Sequence, residues 1–196
     1  GDKFFTCYND GITDLILSLR ILNLNGMKAR CMDQCIPTRL IFGCGSVEKL
    51  ATMTLPGKKA LLVISCGTSM HKFGYLDKVK VALKANNVEV IIYDKVQANP
   101  TKNNVMEAAA LCRKEKCDFI VALGGGSTID SSKATAIMAR NEGDYWDYIA
   151  SGTGKKKPMT EIPLPLIAIP TTGGTGSEMD QRIVITNEDT HEKTGF

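Results

Sequence analysis

No stretch of this chain approaches the roughly 18 consecutive apolar residues that a membrane-spanning helix requires, so no membrane insertion is expected. Charge of one sign is also scarce. The 24 basic and 21 acidic residues leave a net charge of +3, too little to argue for a nucleic-acid partner. The one basic cluster, Lys155-Lys-Lys157, reads as a solvated loop. Histidine occurs only twice, as His71 and His191, and neither has a partner three or four residues further on. A first-row metal site needs several convergent ligands, so each histidine reads as a surface or packing residue and no metal ligand is assigned. No catalytic dyad or triad, internal repeat or low-complexity segment is visible. The seven cysteines are odd in number and irregularly spaced. They read as free thiols, several of them buried, in a reducing, cytoplasmic setting.

What is present is an ordinary globular composition, 43% hydrophobic and 23% charged over 196 residues, with strand and helix patterns in alternation. Short apolar runs at 38–42, 59–65, 88–93, 117–123 and 164–169 read as strands, most of them buried on both faces. Helical spacing is expected at 75–86, at 105–116 and after Gly126, with Ser46 and Thr101 as N-caps. The aromatic stretch 143–149 reads as a short helix packed over the sheet, with core packing favoured over a substrate-facing role. Residues 182–196 read as a terminal β-hairpin. The alternation predicts an α/β fold, a Rossmann-like, mostly parallel sheet with flanking helices. Residues 1–26 look unlike the rest, and their apolar stretch at 12–24 is short and interrupted by charge. They are set apart as an extension of unclear origin, leaving 27–196 as one dinucleotide-binding α/β domain.

The sheet is organised around Gly124-Gly-Gly-Ser-Thr-Ile-Asp130, where a buried strand breaks into glycines and then becomes a helix. Such a turn aims free backbone N–H groups and the positive end of the helix dipole at one point, which is an anion site. Glycine is expected because a side chain would hold a phosphate off the backbone and because the turn would use positive φ. A ligand-free strand-to-helix turn is the plainer alternative. A second stretch, Ile169-Pro-Thr-Thr-Gly-Gly-Thr-Gly-Ser-Glu178, repeats the design with threonine hydroxyls able to donate to phosphate or ribose oxygens. Two such loops at strand ends predict one crevice at the carboxyl edge of a parallel sheet.

These two motifs, with Lys133, Phe42-Gly-Cys-Gly45 and the Asn99-Pro-Thr101 turn, resemble the iron-containing (group III) alcohol dehydrogenase family from about Ile36 onward. The resemblance implies NAD(P)-dependent hydride transfer between a small alcohol or aldehyde and a nicotinamide cofactor, in a homo-oligomer. It also implies iron, held in a helical metal-binding domain whose ligands are not among these residues. The chain alone is therefore expected neither to hold metal nor to turn over an alcohol. Two alternatives remain: a zinc-dependent enzyme of the glycerol-dehydrogenase or dehydroquinate-synthase type, and a non-catalytic nucleotide-binding module.

By the same resemblance, Gly125, Gly126, Ser127 and Thr128 match the pyrophosphate loop, and Thr171, Thr172 and Thr175 match the second loop. Asp130 matches an acidic residue near the nicotinamide end, and reads equally as a first-turn helix carboxylate. Asn99 matches the turn near the adenosine. Lys193 matches a cofactor-contacting lysine, though an exposed hairpin lysine is an equally good account. Asp180 and Val184 complete the matched set. NAD-preferring members often carry Asp at the end of the second strand, where this chain has Ser65 followed by Cys66-Gly67-Thr68-Ser69. An Asp would repel a 2′-phosphate, whereas Ser65, Gly67, Thr68 and Ser69 offer hydrogen-bond donors. NADP is therefore expected over NAD, with Lys72 as a candidate for the phosphate charge.

Overall fold

The computed structural model describes residues 5–8 and 38–195. Eight strands run in the order β1 (Phe5–Tyr8), β2 (Thr38–Ile41), β3 (Lys59–Ser65), β4 (Glu89–Val96), β5 (Phe119–Gly124), β6 (Leu166–Pro170), β7 (Val184–Asn187) and β8 (Glu192–Gly195). Among the described residues four α-helices intervene: α1 (Ser69–Lys72), α2 (Tyr75–Ala85), α3 (Lys102–Glu115) and α4 (Gly126–Arg140). Six strands form one sheet in the order β2-β1-β6-β5-β3-β4, and β7 and β8 form a separate antiparallel hairpin.

Strands β3 to β6 are mutually parallel. The central runs of β3, β5 and β6 are apolar because both faces are covered, whereas β4 at the edge exposes Glu89, Asp94 and Lys95. Leu62, Ile64, Phe119, Val121 and Leu123 pack with Leu76, Val79 and Leu83 of α2 on one side. Leu61, Val63 and Ile120 pack with Ala108 and Cys112 of α3 and Ala136 of α4 on the other. This is the two-residue alternation of a strand, with apolar side chains supplied to both faces.

The N-terminal stretch 1–26 was set apart, yet its residues Phe5–Tyr8 form β1, antiparallel to both β2 and β6. Its remaining residues, including the apolar stretch 12–24, and Ile36 lie outside the described residues.

Local chemistry sets the helix ends. The Thr101 hydroxyl accepts the Asn104 N–H at 3.3 Å and caps α3 as expected. Ser46 does not act as an N-cap. It is the first residue of a 3-10 helix, Ser46–Ala51, whose cap position is held by Gly45 at φ 71. The Ser46 hydroxyl is buried without a hydrogen-bond partner among the described residues. Left-handed Gly45 turns the chain there, a backbone role that a residue-type rule for side-chain caps does not register.

The aromatic stretch forms a 3-10 helix, Tyr145–Tyr148, with an Asp144 capping box. Tyr145, Trp146 and Tyr148 are buried among Val105, Met138, Ile183 and Ile185. Core packing is thus their role. They fill the space between α3, α4 and the β7–β8 hairpin.

Candidate functional site: a crevice at the carboxyl edge of the sheet

After β3 the chain adds β4 on one side, then returns to add β5 and β6 on the other. The strand order therefore reverses between β3 and β5. In open α/β sheets the crevice outside the carboxyl ends at such a point is the standard ligand site. Here it is bounded by the turn after Ser65 and by the glycine loop after β5.

Gly125 stands at the N-cap position of α4 in an extended conformation, φ −85° and ψ −173°, with no side-chain cap. The Thr128 and Ile129 N–H groups both bond the Gly125 carbonyl, at 3.0 and 3.1 Å. The N–H groups of Gly126 and Ser127 have no partner among the described residues and lie at the positive end of a 15-residue helix.

None of the three glycines uses positive φ, which corrects the expectation from sequence. Their requirement is steric. A Cβ on Gly124 would lie 2.5 Å from the Thr128 Oγ1. A Cβ on Gly125 would lie 3.2 Å from the Thr172 Oγ1, and one on Gly126 would lie 3.2 Å from the Thr175 Oγ1. Gly124 thus seats the first helical turn on its strand, while Gly125 and Gly126 let the two loops meet. Thr128, assigned to the pyrophosphate loop, is buried against Gly124 rather than open to the crevice.

The second loop leaves β6 with the Thr171 N–H bonded to the Gly124 carbonyl at 3.0 Å. Thr172 and Thr175 are exposed and face the glycine loop. Ser177 is buried, and its hydroxyl donates to Asp130. Asp130 also accepts the Val184 N–H at 3.1 Å. The Lys133 ammonium donates to the Ser177 Oγ at 2.9 Å, the Arg182 carbonyl at 2.8 Å and the Asp180 carboxylate at 3.3 Å. Burial pulls the Lys133 pKa below its ordinary value, with Asp130 and Asp180 opposing that shift. Asp130 lies beyond the first turn of α4, so the helix-dipole reading of it does not apply. Its carboxylate instead joins α4 to the second loop and to β7. Ser177 and Lys133 were not among the expected site residues. Their signal was the spacing of Asp130 and Lys133, three apart on one helical face.

Asn99 adopts the left-handed conformation at φ 58°. Its side-chain oxygen accepts from the Lys193 ammonium at 2.8 Å, 94 positions further along the chain. The Thr186 N–H bonds the Pro100 carbonyl at 2.9 Å, so the hairpin is docked on the Asn99 turn. At the end of β3, Cys66, Gly67 and Thr68 are exposed, while Ser65 and Ser69 are half-buried. The Cys66 N–H bonds the Val96 carbonyl at 2.9 Å. A Cβ on Gly67 would meet open space. Thr68 precedes α1 without a side-chain cap bond. Lys72 lies 6.0 Å from the centre of the Phe73 ring. His71 and His191 are exposed on separate elements. Among the described residues there is no group of three or more His, Cys, Asp or Glu able to hold a metal ion, and no helix long and apolar enough to cross a membrane.

A mostly parallel sheet whose order reverses beside a glycine loop and an uncapped helix N-terminus defines a Rossmann-like α/β architecture. A sequence profile described as "Iron-containing alcohol dehydrogenase" matches residues 37–196, and the chain belongs to that family. It is 42% identical over 158 residues to a choline dehydrogenase of Bacillus subtilis, covering 79% of this chain and 38% of that protein. It is 38% identical over 160 residues to a probable NADH-dependent butanol dehydrogenase of the same organism, covering 82% and 40%. The crystal structure of an NADH-dependent butanol dehydrogenase from Thermotoga maritima superposes with a TM-score of 0.71 at 36% identity, over 78% of this chain and 37% of that one. The chain thus spans about two fifths of the length of these relatives.

Proposed function

We propose that this chain binds a nicotinamide dinucleotide across the carboxyl edge of its sheet, as the cofactor-holding part of an alcohol dehydrogenase. The observation that carries the reading is the pair of unpartnered N–H groups, on Gly126 and Ser127, at the point where the strand order reverses. Gly125, Gly126 and Ser127 would receive the pyrophosphate. Thr171, Thr172 and Thr175 would donate hydroxyls to phosphate or ribose oxygens from the facing loop, and Asn99 and Lys193 would border the adenosine. Asp130, Asp180 and Val184 would form the floor toward the nicotinamide. Thr128 would act from below, by packing. Family membership supports hydride exchange between nicotinamide and a small alcohol or aldehyde, with cofactor and substrate held in place by the protein. Iron, homo-oligomeric assembly and a cytoplasmic setting belong to the same reading. No metal site is formed by the described residues, and no step is routed through one.

NADP is the preferred cofactor in this reading. The hydroxyls of Ser65, Thr68 and Ser69 make no hydrogen bond among the described residues, no carboxylate stands at the end of β3, and Lys72 lies one turn further on. The second reading, NAD, is favoured by relatives whose names carry NADH. Titrating the chain with NADPH and with NADH, followed by nicotinamide fluorescence, tests both. Tighter NADPH binding is expected. Preference for NADH by tenfold, about 1.4 kcal/mol, would transfer the site to NAD, and binding of neither would end the proposal.

A further inference from the structure

At the opposite, amino-terminal edge of the sheet, α3 ends in a Schellman turn. Lys116 takes the left-handed conformation at φ 54°. Its N–H bonds the Arg113 carbonyl at 3.1 Å, and the Cys117 N–H bonds the Cys112 carbonyl at 3.0 Å. This motif characteristically brings the side chains of its two outer residues together in an apolar contact. In this chain those two residues are both cysteines. Each is buried, at 1% and 8% exposure, each is a free thiol, and both belong to one apolar cluster. The backbone bond from Cys117 to Cys112 joins the two residues directly across the turn, the close approach of main chains that a disulfide requires.

Access comes from a cavity of about 450 Å³ lined by both cysteines together with Arg113, Lys116 and Arg140. Three cations and the Asp118 carboxylate thus border the space that a small oxidant would enter. The two sulfurs are not equivalent. The neighbouring Cys112 thiol, as a donor, draws Cys117 below the ordinary thiol range, helped by the Lys59 ammonium and opposed by burial and by the Glu115 and Asp118 carboxylates. Donating that proton, and burial, push Cys112 up.

We propose that Cys112 and Cys117 form a peroxide-oxidisable pair, a modification site at the α3–β5 corner that closes to a disulfide. The Cys117 thiolate attacks the nearer oxygen of a hydroperoxide. The O–O bond breaks, a sulfenic acid forms on Cys117, and an alkoxide or hydroxide leaves beside the guanidinium groups. The Cys112 sulfur then attacks the sulfenic sulfur. The S–S bond forms as the S–O bond breaks, and the departing hydroxide takes the Cys112 proton as water. Two thiols are oxidised by two electrons, and one hydroperoxide is reduced to an alcohol or water.

Trypsin cleavage after Arg113, Lys114 and Lys116 separates the two cysteines into peptides 103–113 and 117–133, so any bond between them appears as one linked peptide. The 196-residue chain is treated with hydrogen peroxide, its remaining thiols are alkylated, and the digest is read by mass spectrometry with and without dithiothreitol. The expected main peroxide-dependent product is the 103–113/117–133 pair, lighter than the sum of its parts by two hydrogens and split by dithiothreitol. The Cys112→Ser chain should instead leave a sulfenic acid on Cys117 that dimedone captures. The wild-type map stands even if that variant does not fold. Both cysteines remaining alkylatable while Cys44 and Cys66 oxidise would overturn the proposal, as would linkage of Cys117 mainly to another of the seven cysteines.

Discussion

The Lys133 ammonium lies 2.9 Å from the Ser177 hydroxyl, which itself donates to Asp130. Through this relay α4, whose first turn follows the glycine loop, is tied to the second loop and to the start of β7. Lys133→Met removes all three donations of the ammonium and leaves Asp130 without its cationic neighbour. A hydrogen bond to a charged group contributes about 1.5–3 kcal/mol net, and the Lys133 side chain is 11% exposed. A loss of about 2–3 kcal/mol in urea unfolding is expected, with weakened dinucleotide binding. A loss below about 0.5 kcal/mol, the range of an ordinary surface substitution, would show that the relay does not hold the loop.

Gly124 and Gly126 should fail in different ways. Gly124→Ala places a methyl 2.5 Å from the Thr128 Oγ1 and 2.8 Å from its Cβ, where neither backbone nor buried threonine can yield easily. It should lower the unfolding midpoint. Gly126→Val meets only an exposed threonine hydroxyl at 3.2 Å, so the fold should survive while the added methyls occupy the space proposed for the pyrophosphate. Calorimetry and cofactor titration on both variants separate the effects. Unchanged cofactor affinity in folded Gly126→Val would remove the loop assignment.

Ser65→Asp places a carboxylate at the end of β3, beside the exposed Cys66-Gly67-Thr68 turn. It should accept hydrogen bonds from an unmodified ribose and repel a 2′-phosphate. The ratio of NADPH to NADH affinity should fall by at least tenfold, about 1.4 kcal/mol. An unchanged ratio in the fluorescence titration would show that Ser65 does not contact this part of the cofactor.

The single tryptophan reports on the hairpin. Trp146 Nε1 donates to the Thr153 hydroxyl at 3.0 Å and to Glu192 at 3.3 Å. Glu192 also accepts the Thr153 N–H and the Thr190 hydroxyl. The Thr153 hydroxyl is the largest of the effects that hold the Glu192 pKa below its ordinary value. A carboxylate with a depressed folded pKa stabilises the fold above its unfolded pKa, about 4.3. That contribution is lost as pH falls through the folded value. Trp146 emission should therefore change in a step below about pH 4.3, and Glu192→Gln should abolish the step. Persistence of the step in Glu192→Gln would assign it to another group.

Local patterns carried much of the fold. The run from Cys117 to Leu123 was readable as a doubly covered strand because its unbroken apolar stretch, Phe119 to Leu123, suits only a surface buried on both sides. Thr101 was readable as a cap because its oxygen meets an amide three residues on. Ser46 was misread because the rule for caps concerns side chains, whereas the turn there is made by the left-handed backbone of Gly45. The glycine loop was located correctly but explained in part by the wrong cause. Positive φ is a property of one residue, whereas the neighbours that crowd these positions are Thr128 in the next turn for Gly124, and Thr172 and Thr175 on another loop for Gly125 and Gly126.

Sequence by itself therefore determined the α/β alternation, the glycine loop at the end of β5 and the family, all of which depend on neighbours within a few residues or on a contiguous motif. Tertiary structure alone decided that Lys193 would reach Asn99 across 94 positions, that Ser177 would close on Asp130 across 47, and that Thr128 would turn into the protein. Those relationships follow from how crossovers and loops dock once the sheet has formed. Residue spacing does not encode that docking, because a loop pays nearly the same closure entropy over a wide range of lengths.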